Sequence, residues 1–173
     1  MPRVWVSVGS NIDRERHIRG ALDDLRGLFG ELEVSPVYES AAVGFDGDAF
    51  FNLVVGFDAE LPPERVRGLL RAVEARHGRE RNEQKFAART LDLDLLTYGD
   101  AVVGDGGHAL PREEIERYAF VLGPLADVAG GQIHPQRGLS FAEMWRRFDP
   151  EGRRTLRRIP DGAWMHDPDG EDP

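Results

Sequence analysis

The sequence of 173 residues predicts an α+β sandwich, and three observations carry that prediction. Short β-prone runs alternate in apolar character, two stretches of helical periodicity separate them, and no cysteine or internal repeat points to another architecture. Taken in chain order these segments read strand, helix, strand, strand, helix, strand, which is the order of a ferredoxin-like βαββαβ sandwich. An added C-terminal hairpin and helices complete the prediction.

The elements follow from local patterns. Val4-Trp5-Val6-Ser7-Val8 is a β-prone alternating run, and Gly9-Ser10-Asn11 breaks it while offering helix-capping groups. Ile18, Ala21, Leu22, Leu25, Leu28 and Phe29 keep helical spacing, and Gly30 closes that helix. Residues 32–38 read as a second strand, 40–48 as a Gly- and Asp-containing loop and 50–57 as a third strand. Pro62-Pro63-Glu64 opens a second helix with Val66, Leu69, Leu70 and Val73 on its apolar face and Gly78 as its stop. Leu91 to Leu96 alternate strictly and give a fourth strand. A short hairpin is expected near 101–110 and helices near 120–127 and 139–147. One domain over 1–158 and an acidic tail rich in Pro and Gly over 159–173, without packed structure, is the expected organisation.

Composition narrows the function. Without cysteine there is no thiol nucleophile, disulfide scaffold, Cys-based zinc site or iron–sulfur cluster. No apolar run approaches the roughly 18–20 residues that span a bilayer, and no signal peptide is visible, so a cytoplasmic protein is expected. A formal charge of −9 argues against nucleic-acid or membrane partners. Of the 22 basic residues, Lys85 is the sole lysine. Residues 71–89 nevertheless carry six basic against three acidic groups, or +3, and residues 146–158 carry six Arg against two carboxylates, or +4, leaving −9 − 7 = −16 for the rest. A local Arg excess in an acidic chain reads as selective anion capture.

The run Lys85-Phe86-Ala87-Ala88-Arg89-Thr90-Leu91-Asp92-Leu93-Asp94-Leu95-Leu96 holds most of the information. On a strand the leucines face one side, while Asp92 and Asp94 share the other, roughly 6–7 Å apart. Aspartate is depleted in strands, so a pair on one face needs a reason. Either they protect a solvated edge or they hold a hard divalent cation such as Mg²⁺. Arg79, Arg81, Lys85 and Arg89 beside them favour the second reading, since guanidiniums bind phosphates bidentately and a metal bridges phosphate oxygens. No Walker lysine loop, protein-kinase motif set, dinucleotide fingerprint, His-x-x-x-His pair or Ser-centred hydrolase elbow is present. The five His are expected at the surface or capping turns.

These residues, from 4 to 147, resemble the 6-hydroxymethyl-7,8-dihydropterin pyrophosphokinase family. The resemblance rests on the 85–96 run, with support from Val8-Gly9-Ser10-Asn11, Val37-Tyr38-Glu39-Ser40, Phe51-Asn52, Glu74 with Gly78-Arg79-Glu80-Arg81, and Phe120-Val121-Leu122-Gly123-Pro124-Leu125. It implies transfer of pyrophosphate from ATP, the co-substrate, to the hydroxymethyl group of a dihydropterin, releasing AMP for folate biosynthesis. It implies Asp92 and Asp94 as ligands of two Mg²⁺ ions, and Arg79, Arg89 and Asp94 as catalytic residues. Arg71, Glu74, Arg81, Arg89, Leu95 and Arg112 would meet the nucleotide. The pterin slot would comprise Ser40, Ala41, Val43, Phe50, Asn52, Phe86 and Phe120. A flat, amide-like ring wants such aromatic faces and a few in-plane polar groups; Phe51 is instead expected to pack in the core.

The sequence departs from the family pattern at 111–120, where Arg112 stands for a His and Tyr118 for an Arg. Glu113, Glu114 and Glu116 would set negative charge against ATP there. Alternatives are a pyrophosphokinase of a non-folate pterin, a silent nucleotide- or pterin-binding module and, weakly, an RNA-binding domain. A monomer is expected.

Overall fold

Val4, Val6 and Val8 put their side chains on one face of the first strand and Trp5 on the other, and both faces are buried. That double burial sets the architecture: one sheet with helices on both sides. The computed structural model describes residues 1–42, 47–78, 90–104 and 106–160. In chain order these form β1 (Arg3–Ser10), α1 (Arg14–Phe29), β2 (Glu33–Val34), β3 (Tyr38–Ser40), β4 (Phe50–Asp58), α2 (Pro63–Arg76) and β5 (Asp92–Tyr98). Then follow α3 (Glu114–Arg117), α4 (Ala119–Ala129), α5 (Phe141–Arg147), α6 (Pro150–Arg154) and β6 (Arg157–Arg158). The sheet runs β5-β1-β4-β3-β6, with β2 also on β4, and its pairings are antiparallel. The α+β, ferredoxin-like order of the sequence reading is the observed one.

One core lies between the sheet and α1 and α2, built from Val4, Val6, Val8, Leu53, Val55, Phe57, Leu93 and Leu95 against Ile18, Leu22, Leu25, Val66, Leu70 and Val73. The second lies between the opposite face and α3 to α5, with Trp5, Val54 and Leu96 against Ile115, Leu122, Leu125 and Phe141. Burying the larger of these side chains contributes roughly 1.5–3 kcal/mol each. Trp5 lies flat across β4 because Gly56 leaves room: a Cβ there would stand 2.2 Å from the indole. Its Nε1 donates to Gln132 Oε1 at 2.9 Å.

Several expectations are corrected. The single strand over 32–38 divides into β2 and β3, since Pro36 has no N–H for the ladder and the Ser35 hydroxyl accepts from Val54 N at 2.8 Å instead. The fourth strand begins at Asp92 and runs on to Tyr98. The hairpin near 101–110 contracts to one bridge, Val103 with Leu110, whose tip holds a 3-10 turn at Gly106–His108. The expected helices near 120–127 and 139–147 are α4 and α5, whereas α3, α6 and β6 had no clear signal. Leu28, assigned to the apolar face of α1, is 45% exposed. Ile159, the first residue of the expected tail, is buried in the core and its N–H donates to Val37 O at 2.8 Å. Residues 161–173 lie outside the described residues.

Candidate active site

Strand register assembles the site. Gly9 on β1 pairs with Asn52 on β4 and with Asp92 on β5, so these three share one rung across the centre of the sheet. Neighbouring strands lie about 4.8 Å apart, which places Asn52 and Asp92 roughly 10 Å from each other with Gly9 between them. Gly9 has no side chain, so the rung holds a gap. A Cβ at Gly9 would come within 3.3 Å of Asn52 Oδ1 and 3.8 Å of the Phe50 ring. Two residues along, Ser7 pairs with Asp94, another small side chain beside a carboxylate. Asp92 and Asp94 are both half-buried.

Of the expected pterin residues that the structure describes, Ser40, Phe50 and Asn52 lie on the β4 side of this gap. Asn52 Nδ2 donates to Ser40 Oγ at 2.6 Å, both groups being buried. That bond leaves Oδ1 and the other amide hydrogen of Asn52 for further partners. Phe50 follows on the same sheet face by strand alternation. Ala41 is exposed at the end of β3. Phe120 is half-buried and stacks on Tyr118, ring centroids 4.9 Å apart and planes 14° from parallel. Phe51 is in the core, as expected. Val43 and Phe86 lie outside the described residues, as do Arg79, Arg81 and Arg89.

On the β5 side a cleft opens between α2 and the 107–112 segment. Arg67, Leu70 and Arg71 line one wall, Gly107, His108 and Arg112 the other, and Leu93, Asp94 and Leu95 the floor. Three guanidiniums and one carboxylate thus line this cleft. Arg112 Nη2 is 3.6 Å from Asp94 Oδ1 and Arg112 Nε is 3.0 Å from Glu114 Oε2. Arg67 Nη2 donates to His108 O at 2.8 Å. Burial, reinforced by the neighbouring Arg71 and Arg112 charges and opposed by Glu64, holds the Arg67 guanidinium below its ordinary range. Like charges at i and i+4 on a helix destabilise it unless an anion comes between them.

Glu74, expected at the nucleotide, lies behind β5. It is almost wholly buried, and Oε2 accepts the N–H of Leu93 at 2.9 Å, between the two aspartates. It braces the carboxylate strand rather than facing the open cleft. The three glutamates at 113, 114 and 116 pair with Arg117, Arg112 and Arg137.

Sequence reading assigned no site role to Arg67, His108, Gly9, Asn11 or Arg14. The spacing of Arg67 and Arg71 on either side of Leu70 carried a signal for the first, whereas the others depend on register. Asn11 is buried and donates from Nδ2 to Asp48 O at 3.0 Å. Among the described residues no cluster of three or more His, Cys, Asp or Glu side chains forms a closed metal cage. Two half-buried carboxylates beside guanidiniums instead fit Mg²⁺, which keeps several waters and takes one or two carboxylates with phosphate oxygens.

An α+β sandwich with a carboxylate pair on its edge strand and clustered guanidiniums beside it has the parts that a phosphoryl-transfer enzyme uses. The sequence model of the 7,8-dihydro-6-hydroxymethylpterin-pyrophosphokinase (HPPK) family matches residues 5–130, and the chain belongs to this family. The 2-amino-4-hydroxy-6-hydroxymethyldihydropteridine pyrophosphokinase of Methylorubrum extorquens is 34% identical over 156 residues, which cover 88% of this chain and 97% of that protein. The Pseudomonas aeruginosa protein of the same name is 37% identical over 131 residues, covering 73% of this chain and 80% of the relative. Folic acid synthesis protein fol1 of Pneumocystis carinii is 32% identical, but this chain spans only 20% of its length. In structure, Plasmodium falciparum HPPK-DHPS with SDX-DHP superposes over 92% of this chain and 47% of its own, with a TM-score of 0.71 at 10% identity. That likeness bears on the fold alone.

Proposed function

We propose that the protein transfers the terminal pyrophosphate of ATP to the hydroxymethyl group of 6-hydroxymethyl-7,8-dihydropterin, releasing AMP in the cytoplasm. The observation that carries this reading is the rung Asn52, Gly9, Asp92, which puts a polar, aromatic-edged slot and a carboxylate pair on either side of one gap. In this reading the pterin occupies the slot of Ser40, Ala41, Phe50 and Asn52, with Phe120 over it. Asn52, already oriented by Ser40, offers an acceptor and a donor to the ring edge. Arg67, Arg71 and Arg112 bind the phosphates, and the pterin hydroxyl attacks the β-phosphorus with AMP as the leaving group. Asp92 and Asp94 would hold Mg²⁺, which when bound neutralises charge on the phosphate oxygens. Glu74 keeps the carboxylate strand in register through the Leu93 N–H. Positioning and charge neutralisation carry such a transfer, with no covalent enzyme intermediate. Arg79, Arg81 and Arg89, with Val43 and Phe86, belong to the same reading through the family resemblance.

Purified protein supplied with ATP, Mg²⁺ and the dihydropterin is expected to form AMP and pterin diphosphate in equal amounts. ATP binding without AMP release would mark a silent binding module, and turnover of a different pterin would reassign the substrate. Asp94→Ala is expected to lose about a hundred- to a thousandfold in kcat, on the scale of one lost electrostatic group at a reaction centre. Metal-free ATP binding should stay within a few-fold of wild type. An equal loss of thermal stability would make Asp94 a structural residue.

A further inference from the structure

Arg14 stands apart from both halves of the site, yet it makes three contacts on the sheet face behind the slot. It is the first residue of α1, and its side chain is only 31% exposed. Nη2 lies 2.7 Å from Glu39 Oε2, Nη1 donates to Ala49 O at 3.0 Å, and the guanidinium carbon sits 3.6 Å above the Phe51 ring. Glu39 and Phe51 pair in register on β3 and β4, immediately beside Ser40 and Phe50. A second side chain from the same turn, Asn11, holds the carbonyl of Asp48.

The geometry matters because the β3–β4 ladder ends at Ser40 and Phe50. The carbonyls of Asp48 and Ala49 therefore lie just before the strand that carries Phe50 and Asn52, and among the described residues no ladder bond holds them. Arg14 and Asn11 take the place of the missing ladder. Alternation along β4 sends Phe51 to the α1 face while Phe50 and Asn52 face the gap at Gly9, so the guanidinium over Phe51 is on the opposite side of the sheet from the slot.

We propose, on the basis of the pterin reading above, that Arg14 is a positioning residue for the pterin. It ties Glu39 on β3 to Ala49, the residue before β4, and so holds the chain entering Phe50 at the point where the Ser40–Phe50 ladder ends. A planar fork can serve the carboxylate and the carbonyl at once while its face rests on Phe51; an ammonium group cannot. Removing the fork loosens the slot without touching the nucleotide cleft.

The test compares wild type, Arg14→Met and Arg14→Lys in the full chain, by steady-state kinetics and by pterin titration without ATP. Arg14→Met is expected to raise the pterin KM and Kd about tenfold, with kcat and the ATP KM within twofold of wild type. Arg14→Lys keeps a cation for Glu39, so its melting temperature should stay near wild type while its pterin Kd still rises several-fold. Pterin affinity within twofold of wild type in both variants overturns the proposal. So does a parallel rise in the ATP KM, which would indicate general loosening. A wild-type chain that binds pterin but releases no AMP defeats the activity alone, and the Kd ratios then decide the role of Arg14. One that binds no pterin defeats both.

Discussion

Individual side chains in this protein are shaped as much by their neighbours' size as by their own chemistry. Asp92 and Asp94 can face outward together because the residues beside them on β1 are Gly9 and Ser7. Arg67 illustrates the converse, a charge that burial and two neighbouring arginines disfavour and Glu64 partly supports. With Arg71 one turn away and Arg112 across the cleft, it is held among like charges and tied by one bond to His108 O. Arg67→Gln is therefore expected to weaken ATP or inorganic pyrophosphate binding about tenfold, or ~1.4 kcal/mol. The deficit should grow as ionic strength is lowered, and the pterin KM should stay within twofold. Isothermal titration at two salt concentrations checks this, and unchanged anion affinity would remove Arg67 from the cleft's function.

At the scale of elements, β5 is the informative strand and Glu74 is its brace. Its buried carboxylate satisfies a strand N–H that faces away from β1. Glu74→Ala would leave that N–H unpaired at a cost of about 1–3 kcal/mol. Glu74→Gln keeps an acceptor, so it should recover most of the melting temperature, whereas a direct ligand role would cost activity equally in both variants. Much of this element was legible beforehand: the Leu/Asp alternation gave the strand, its sidedness and the carboxylate pair. Position along the sheet was not, because nothing in the local sequence says that Glu74 on α2 meets Leu93 or that Gly9 meets Asp92. The helices show the same division. Ile18, Ala21, Leu22 and Leu25 announce α1, while α3 and α6 are too short to show a period. The split of β2 from β3 was marked by Pro36 but depends on Ser35 reaching Val54.

For the whole molecule, protonation of two imidazoles links pH to stability. His17 is held below the ordinary value of 6.5 first by burial and then by His77, whose Nδ1 is 3.0 Å from its own. His134, whose Nδ1 accepts from Gln136 N, is held below that value by burial. Below about pH 6.5 the unfolded chain takes up protons at these positions that the folded chain resists, so ν in the unfolded state is larger and stability falls with falling pH. The melting temperature should drop between pH 7.5 and 5.5, before ordinary carboxylates titrate, and the drop should be smaller in His17→Gln. A flat profile would contradict the assignment. The chain-wide charge of −9 predicted neither this nor the local sign of the cleft, since both depend on which groups the fold brings together.

The ends of the sheet carry a consequence for the protein in concentrated solution. A bare strand edge is a template on which a neighbouring molecule can add its own strand, the first step toward insoluble assemblies. Here β6 is only two residues long and both are arginine, so copies approaching that end repel one another. At the other end, β5 has the Glu74 carboxylate on Leu93 N and the Arg112 N–H on Leu96 O. At these positions the same contacts that position the carboxylate pair also deny an incoming chain its hydrogen-bonding sites, so protection against aggregation comes with the architecture of the cleft.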